Sequence, residues 1–479
     1  MTTKLQKLGI RVGDLDFGSI DAESDRELSN YFINTPHVKY LYSGRRTQLI
    51  GRKGSGKSAL FTQIPRITSD LPTSPIAVLL TPNQYAWSTL KQYEEQGLSE
   101  EQAHANAWKF TLIVEIVGAL LETRVDWTGE AKRAIGILRQ FLKDNFGKVS
   151  PGFLKSATSI VSGLQSFNLS AFGFGIGASS DREQQVLTPA VLEELVSLLA
   201  PVLEQQPVIV ALDKLDDSWD GSDRARSLMV GLVIAAKDLN DRLGSVSSGE
   251  RLRVNVFLRS DIYDSLKFDE KDKHRQLEEW LLWTPDLLRE MVDRRLPSDL
   301  SIDDVFEAGD MRGSITPFNY IVKRTFLRPR EVIQFLDEAQ RKAGDAAFEI
   351  SKDDIRGAEE RYSKWKVDDL RQEFAKAFPD FGRLLECLRQ QVHRYDSISD
   401  LHDLIRERDP GLAEQYGTQA LVERLFEYSV IGVRVSNQGS TKFKAEDSDL
   451  TLPSSGAAYI HQSLYRGLGI TEARKSADS

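Results

Sequence analysis

One octapeptide constrains this chain more than any other feature. Thr47 to Ile50 read as a short buried strand, Gly51-Arg52-Lys53-Gly54-Ser55-Gly56-Lys57-Ser58 as a tight turn, and Ala59, Leu60 and Phe61 as the start of a helix. Glycines let such a turn curl its amide N–H groups onto one point, and the helix that follows adds the positive end of its dipole. The turn is therefore an anion cradle. Its spacing meets G-x-x-x-x-G-K-[ST] at every fixed position, which specifies the phosphates of a nucleotide. In that pattern Lys57 bridges β- and γ-phosphate oxygens and the Ser58 hydroxyl ligates magnesium, while Arg52, Lys53, Ser55 and Ala59 complete the lining.

A strand feeding a helix through such a turn belongs in a parallel α/β sheet, and the following segments agree. Ile76 to Leu80, Val208 to Leu212 and Arg253 to Leu258 are short apolar runs that suit buried parallel strands. Glu100 to Glu122, Glu130 to Leu142, Pro189 to Leu203 and Ser227 to Leu243 carry apolar residues at helical spacing. The expectation is an αβα core with a parallel sheet. Ser150 to Ser180, rich in Ser and Gly with two short alternating runs, reads as a loop or hairpin. From Thr284 the pattern turns helical: Thr284 caps, Pro285 and Asp286 fill the first turn, and a further helix runs from near Pro329 to Gly344. This segment is expected to be a helical lid. Helices at Leu401 to Arg408 and Gln419 to Tyr428, then Val430 to Val435, a turn at Asn437 to Gly439 and Lys442 to Ala445, outline a winged helix. With 479 residues, two or three domains are expected. The boundaries predicted are 1–283 for the core, with an insertion about 150–186, 284–345 for the lid, and 346–479 for a helical linker and the winged helix.

A magnesium ion bound through Ser58 needs a carboxylate from a neighbouring strand. Val208-Ile-Val-Ala-Leu212 delivers one at Asp213. Hydrolysing enzymes of this class often place an acid directly after that aspartate to polarise the attacking water, but Lys214 stands here, so Asp216 is the candidate base if the loop bends back. Arg259 closes the strand Arg253 to Leu258 and points to the phosphate edge of the sheet, where a guanidinium senses or neutralises a γ-phosphate; pairing with Asp261 or Asp264 is its other reading. Arg330, near the start of a lid helix, is the second candidate sensor, with Arg328 competing. Trp280 and Trp283 read as packing at a domain seam. The six histidines give no zinc spacing, and no nucleophile-elbow motif supports a Ser-His-Asp hydrolase.

A net charge of −9 disfavours bulk attraction to nucleic acid or to an anionic membrane. From Leu401 to Ser479 nine Lys or Arg face eleven Asp or Glu, and Gln419 to Tyr428 offers only Arg424, so protein docking is favoured over DNA reading. No stretch approaches a bilayer span, Met1 to Gly13 has no apolar h-region, and the single cysteine, Cys387, excludes an intrachain disulfide. A cytoplasmic location is expected.

Gly51 to Ser58, Leu212 to Trp219, Phe257 to Tyr263 and Arg328 to Phe335 together resemble the AAA+ and STAND branch of P-loop ATPases, and within it bacterial stand-alone ATPases, over roughly Asp14 to Gly344. The resemblance implies ATP with Mg2+ as ligands, Arg259 as a strand-end sensor and Arg330 as a lid sensor. It also implies a lid and winged helix that turn nucleotide state into a change of homo-oligomer or partner protein, with bacterial defence against phage as one setting. Lys214 departs from the usual acid and implies slow hydrolysis. The expected function is an ATP-hydrolysing switch. Two alternatives stay open: a DNA-associated ATPase of the origin-recognition type, with Arg434, Lys442 and Lys444 on its wing, and a nucleotide-binding scaffold that scarcely hydrolyses.

Overall fold

Five strands run parallel in the order β2-β3-β4-β1-β5, with β1 at Gln48–Gly51, β2 at Ile76–Leu80, β3 at Val208–Leu212, β4 at Leu252–Arg259 and β5 at Glu278–Trp280. The computed structural model describes residues 2–472 except 44–45, 83–89, 91–97, 147–188, 218, 247–248, 269–270 and 435–439. The hairpin expected in Ser150 to Ser180, the insertion about 150–186 and the turn at Asn437 to Gly439 lie outside the described residues.

The chain forms two compact units, one of Asn34–Arg52 with Lys57–Leu281, the other of Met1–Ile33, Lys53–Gly56 and Leu282–Ser479. The first holds the sheet. All five residues of β3 are buried, as befits a central parallel strand covered on both faces. Around it lie α1 (Lys57–Ser69), α2 (Glu100–Glu122), α3 (Gly129–Phe146), α4 (Pro189–Gln205) and α5 (Asp223–Leu243). The sequence spacing locates α2, β2 and β3 to the residue. Ser99 and Ser222 start α2 and α5 by accepting from the amides of Gln102 and Ala225. The Trp108 indole N–H donates to the Leu228 carbonyl at 3.0 Å, fixing α2 against α5 inside one continuous apolar core.

The second unit begins at the cap foreseen at Thr284, whose side chain accepts from the Leu287 amide ahead of α6 (Pro285–Asp293). Helix α7 (Pro329–Ala343) ends on Gly344 at φ +84°, a conformation glycine alone adopts easily. Helix α8 (Lys352–Phe374) starts with a Ser351/Asp354 capping box. The amino terminus departs from expectation: Met1–Ile33 groups with this unit rather than with the sheet. Leu5, Val12, Leu15, Phe17 and Ile33 are buried in the same apolar cluster as Leu288, Val332 and Leu336, and the Gln340 amide donates to the carbonyls of Val12 and Leu15 at 2.7 and 2.8 Å. Burial of such side chains stabilises by about 1.5–3 kcal/mol each, which outweighs chain proximity to β1.

The carboxy-terminal part has its own core and contains α9 (Phe381–Cys387), α10 (Ile398–Arg408), α11 (Pro410–Tyr416), α12 (Thr418–Glu427) and the short α13 (Tyr465–Leu468). An antiparallel sheet of β6 (Arg394–Tyr395), β7 (Ile431–Arg434), β8 (Thr441–Lys442) and β9 (Ala458–Ile460) has the order β8-β7-β9-β6. Three helices with such a sheet give the winged helix. The strand expected at Lys442 to Ala445 is shorter, because Lys444 and Ala445 enter a turn where the Glu446 amide bonds the Phe443 carbonyl at 2.9 Å. Cys387 is buried beside Leu384 and Leu388. Among the described residues no helix is long and apolar enough to cross a membrane.

Candidate functional site

β1 ends at Gly51 and α1 begins at Lys57, so the intervening residues have to reverse direction within one turn. Gly54 and Gly56 accomplish this at φ +80° and +94°, where a Cβ is strained. The Lys57 ammonium donates back to the Gly51 and Arg52 carbonyls at 2.8 and 3.0 Å. Burial pushes its pKa down to about 8, against the attraction of Asp213 and Asp216. Ala59 lies in the first turn of α1.

Asp213 leaves the end of β3 with 3% exposure, and its carboxylate accepts from the Ser58 hydroxyl at 2.8 Å. The two residues expected to hold magnesium therefore meet, although they come from distant parts of the chain. Burial raises the Asp213 carboxyl above its ordinary value, opposed by the Lys214 amide, the Ser58 hydroxyl and Lys57. The loop after it does bend. Lys214 has φ +60°, and the Asp217 amide bonds the Lys214 carbonyl at 3.3 Å.

The parallel register sets Arg259 directly beside Gly51. Its guanidinium forks onto Asp261 at 2.7 and 3.0 Å and reaches Asp216 at 3.2 Å. The candidate base and the candidate strand-end sensor are thus one ion pair, tied down by Asp261. Both carboxylates compete with any phosphate that approaches Arg259.

Around the crest of the loop, Lys53–Gly56, the second unit supplies three groups. The Trp283 indole N–H donates to the Ser55 carbonyl at 2.8 Å, so this tryptophan buttresses the loop besides packing. Arg330 lies against Gly54, where an added Cβ would sit 3.1 Å from the Arg330 Cβ. Lys53 reaches Asp369 of α8 at 3.1 Å. Arg330 Nε is buried without a hydrogen-bond partner, as are Nε and Nη2 of Arg328. Arg328 is committed elsewhere: it is 2% exposed and bonds Glu373 at 2.8 Å with Glu331 at 3.4 Å. Burial lowers its pKa, yet those carboxylates outweigh it and hold the guanidinium above its ordinary value. Of the two arginines, Arg330 is the one set against the loop.

Sequence reasoning missed Trp283 as a loop contact and Asp369 altogether. The indole hydrogen bond has no sequence signal, since it depends on where β5 delivers the chain. In α8 a signal existed: Glu359, Tyr362, Lys366, Leu370 and Glu373 recur at helical spacing, placing charges on the apolar stripe.

These donors suit a magnesium-bound triphosphate. Ser58 and Asp213 are hard oxygen ligands, and no group of three or more His, Cys, Asp or Glu among the described residues forms an all-protein metal cage. Ser55 Oγ is buried with no partner at the crest, an orphan donor beside the anion cradle.

Three comparisons bear on the chain. Residues 286–371, from the first turn of α6 nearly to the end of α8, match the FunZ-associated C-terminal helical domain. The chain is 23% identical to the 80.3 kDa protein of transposon gamma-delta from Escherichia coli (strain K12), over 95% of its own length and 67% of that protein's. Among solved structures it is similar to the Aeropyrum pernix ORC2 protein in its ADPNP–ADP complexes, at 11% identity and a TM-score of 0.38, covering 92% of this chain and 95% of that one.

Proposed function

We propose that this chain is a Mg-ATP-binding and hydrolysing switch that couples nucleotide state to a homo-oligomer or to a partner protein. The observation that supports it most is the 2.8 Å hydrogen bond from Ser58 to Asp213 beside Lys57, which assembles the parts of a phosphate site from β1, α1 and β3. The loop amides and Lys57 hold the phosphates, and Ser58 with Asp213 hold the magnesium ion, whose bound charge offsets that of the phosphates. Arg330 sits where it touches the loop at Gly54 and so registers what the loop holds. Asp216 orients the attacking water in this reading, but only when Arg259 releases it. That requirement, with Lys214 in place of an acid, makes hydrolysis slow.

The wing gives the DNA reading little support. On the wing Arg434 lies 5.2 Å over Tyr459, Lys444 3.8 Å from Glu427 and Lys442 4.0 Å from Asp447, and on α12 Arg424 lies 4.2 Å over the Phe378 ring, so each cation has a neighbour that competes with DNA for it. A role in phage defence rests on the resemblance to bacterial stand-alone ATPases. The transposon relative connects the chain to mobile elements by that protein's name alone.

ATP turnover with and without duplex DNA, together with solution mass in ATP, ADP or neither, tests the proposal. A nucleotide-dependent mass with turnover indifferent to DNA is the expected result. Lys57→Ala should abolish ATP binding; a variant that turns over normally would overturn the site.

A further inference from the structure

Lys53 belongs to the loop, yet its ammonium is committed to a carboxylate of α8. The Lys53–Asp369 pair is 3.1 Å long, with side-chain exposures of 31% and 11%. The other Asp369 oxygen lies 4.0 Å from Lys366 Nζ. Lys366, fully buried, donates to Glu331 at 2.6 Å; Glu331 lies 3.4 Å from Arg328, and Arg328 donates to Glu373 at 2.8 Å. A row of alternating charges therefore runs from the loop crest into α8 and on to the first turn of α7, which also carries Arg330.

The same helix is seated on the end of the chain. Ser363 Oγ donates to the Ser463 carbonyl at 2.6 Å and accepts from the Gly467 amide at 2.7 Å. A Cβ on Gly467 would lie 2.6 Å from the Ser363 carbonyl oxygen, so only glycine permits this approach. Helix α8 thus joins Asp369 at the loop to the winged-helix end through contacts that leave it no slack.

We propose that Lys53 and Asp369 form a latch that nucleotide phosphate opens. Asp369 holds, as a stand-in anion, a loop cation that a bound triphosphate recruits, and α8 carries the release toward the winged helix. This regulation rests on the nucleotide reading of the same loop. A carboxylate beside an anion site costs affinity twice, by repelling phosphate and by withholding the lysine.

The test is ATP affinity, by calorimetry on the full chain, in wild type, Asp369→Asn, Lys53→Met and the double variant. Asp369→Asn is expected to tighten ATP binding about fivefold, the worth of a partly buried ion pair. With Lys53→Met already present only the repulsion is left to relieve, with Lys366 still 4.0 Å from Asp369, so the same change should tighten binding clearly less than in wild type. Equal tightening in both backgrounds, or no tightening in wild type, overturns the latch. Should Asp369→Asn not fold, hydrogen exchange of the wild type decides: ATP is expected to speed exchange in the last turns of α8, and unchanged exchange there alongside protection of the loop overturns it. Lys57→Ala separates the two layers. If that variant binds ATP as wild type does, the nucleotide reading fails and the latch with it; if it does not bind while Asp369→Asn fails to tighten, the latch alone fails.

Discussion

If the loop binds ATP as proposed, the charge on Lys57 should give that binding a pH dependence near neutrality. An ordinary lysine titrates at 10.5, but burial brings this one to about 8. Such a group is roughly nine-tenths protonated at pH 7 and roughly one-tenth at pH 9. Only the ammonium pairs with phosphate, so the apparent Kd for ATP should rise about tenfold from pH 7 to pH 9, equivalent to about 1.4 kcal/mol. The triphosphate adds negative charge beside Lys57 and so raises its pKa; binding at pH 8 therefore takes up about half a proton. Calorimetry at pH 8 in two buffers of different ionisation enthalpy measures that proton, and a Kd series from pH 7 to 9 measures the slope. Lys57→Arg keeps its charge throughout, so whatever affinity it retains should be flat over this range. A flat wild-type series, or the same slope in Lys57→Arg, would refute the assignment of Lys57 as the titrating phosphate ligand.

Asp213→Asn keeps the shape of the Ser58 contact but loses the charge, so it should weaken magnesium-dependent ATP binding while leaving magnesium-free binding within about twofold, read by titration with and without a chelator. Gly54→Ala places a Cβ at φ +80° and 3.1 Å from the Arg330 Cβ, and a loss of about 1–3 kcal/mol in denaturant stability is expected, with weaker ATP binding. Lys366→Met removes the 2.6 Å partner of Glu331, which is 1% exposed; unfolding should become easier by about 3–5 kcal/mol in urea, and a neutral result would show that Arg328 and the Phe326 amide suffice for Glu331. Trp283→Phe keeps the ring and removes the donor to Ser55, for a cost of about 1 kcal/mol in stability or ATP binding.

The parts of this chain that were legible in the sequence are those whose structure is decided locally. β3 and its terminal Asp213 were legible because five consecutive apolar residues end on one carboxylate, and α2 because apolar residues recur at helical spacing from Glu100 to Glu122. The cradle was legible because its G-x-x-x-x-G-K-S spacing is specific, and Gly54 and Gly56 supply the positive φ its turn needs. β5 was not, since Glu278–Trp280 has no apolar alternation and is a strand only through its pairing with Gln48, Leu49 and Ile50. The same holds for the crest contacts. Lys53 and Asp369 are joined by tertiary packing, and so are Ser55 and Trp283, and no local propensity marks them. Arg259 lies beside Gly51 as its strand implied and pairs with Asp261, which was its other reading, while Asp216 became visible as a partner only once the left-handed Lys214 turned the loop.

The charges inside α7 and α8 are hard to justify as a device for stability. Burying Lys366, Glu331 and Arg328 each costs several kcal/mol of desolvation, and pairing at 2.6 to 3.4 Å recovers that only when every remaining lone pair is used. Glu331 comes close: one oxygen accepts from Lys366, and the other from the Phe326 amide at 2.5 Å and the Tyr362 hydroxyl at 3.5 Å. Well-packed apolar residues of equal volume would hold the two helices together at least as firmly, but they would not fix their register. A directional network does. It sets the first turn of α7, and with it Arg330 two residues beyond Arg328, at one angle to α8, whereas Leu or Met at these positions would tolerate a slide of the helix along its neighbour. The consequence is measurable without nucleotide: replacing Lys366, Glu331, Arg328 and Glu373 together by apolar residues, so that no member of the buried row loses its partner, should leave urea stability within about 2 kcal/mol of wild type while slackening the Arg330 end of α7, seen as faster hydrogen exchange there. A quadruple variant that loses far more stability than this would mean that the row holds the helices together rather than aims them.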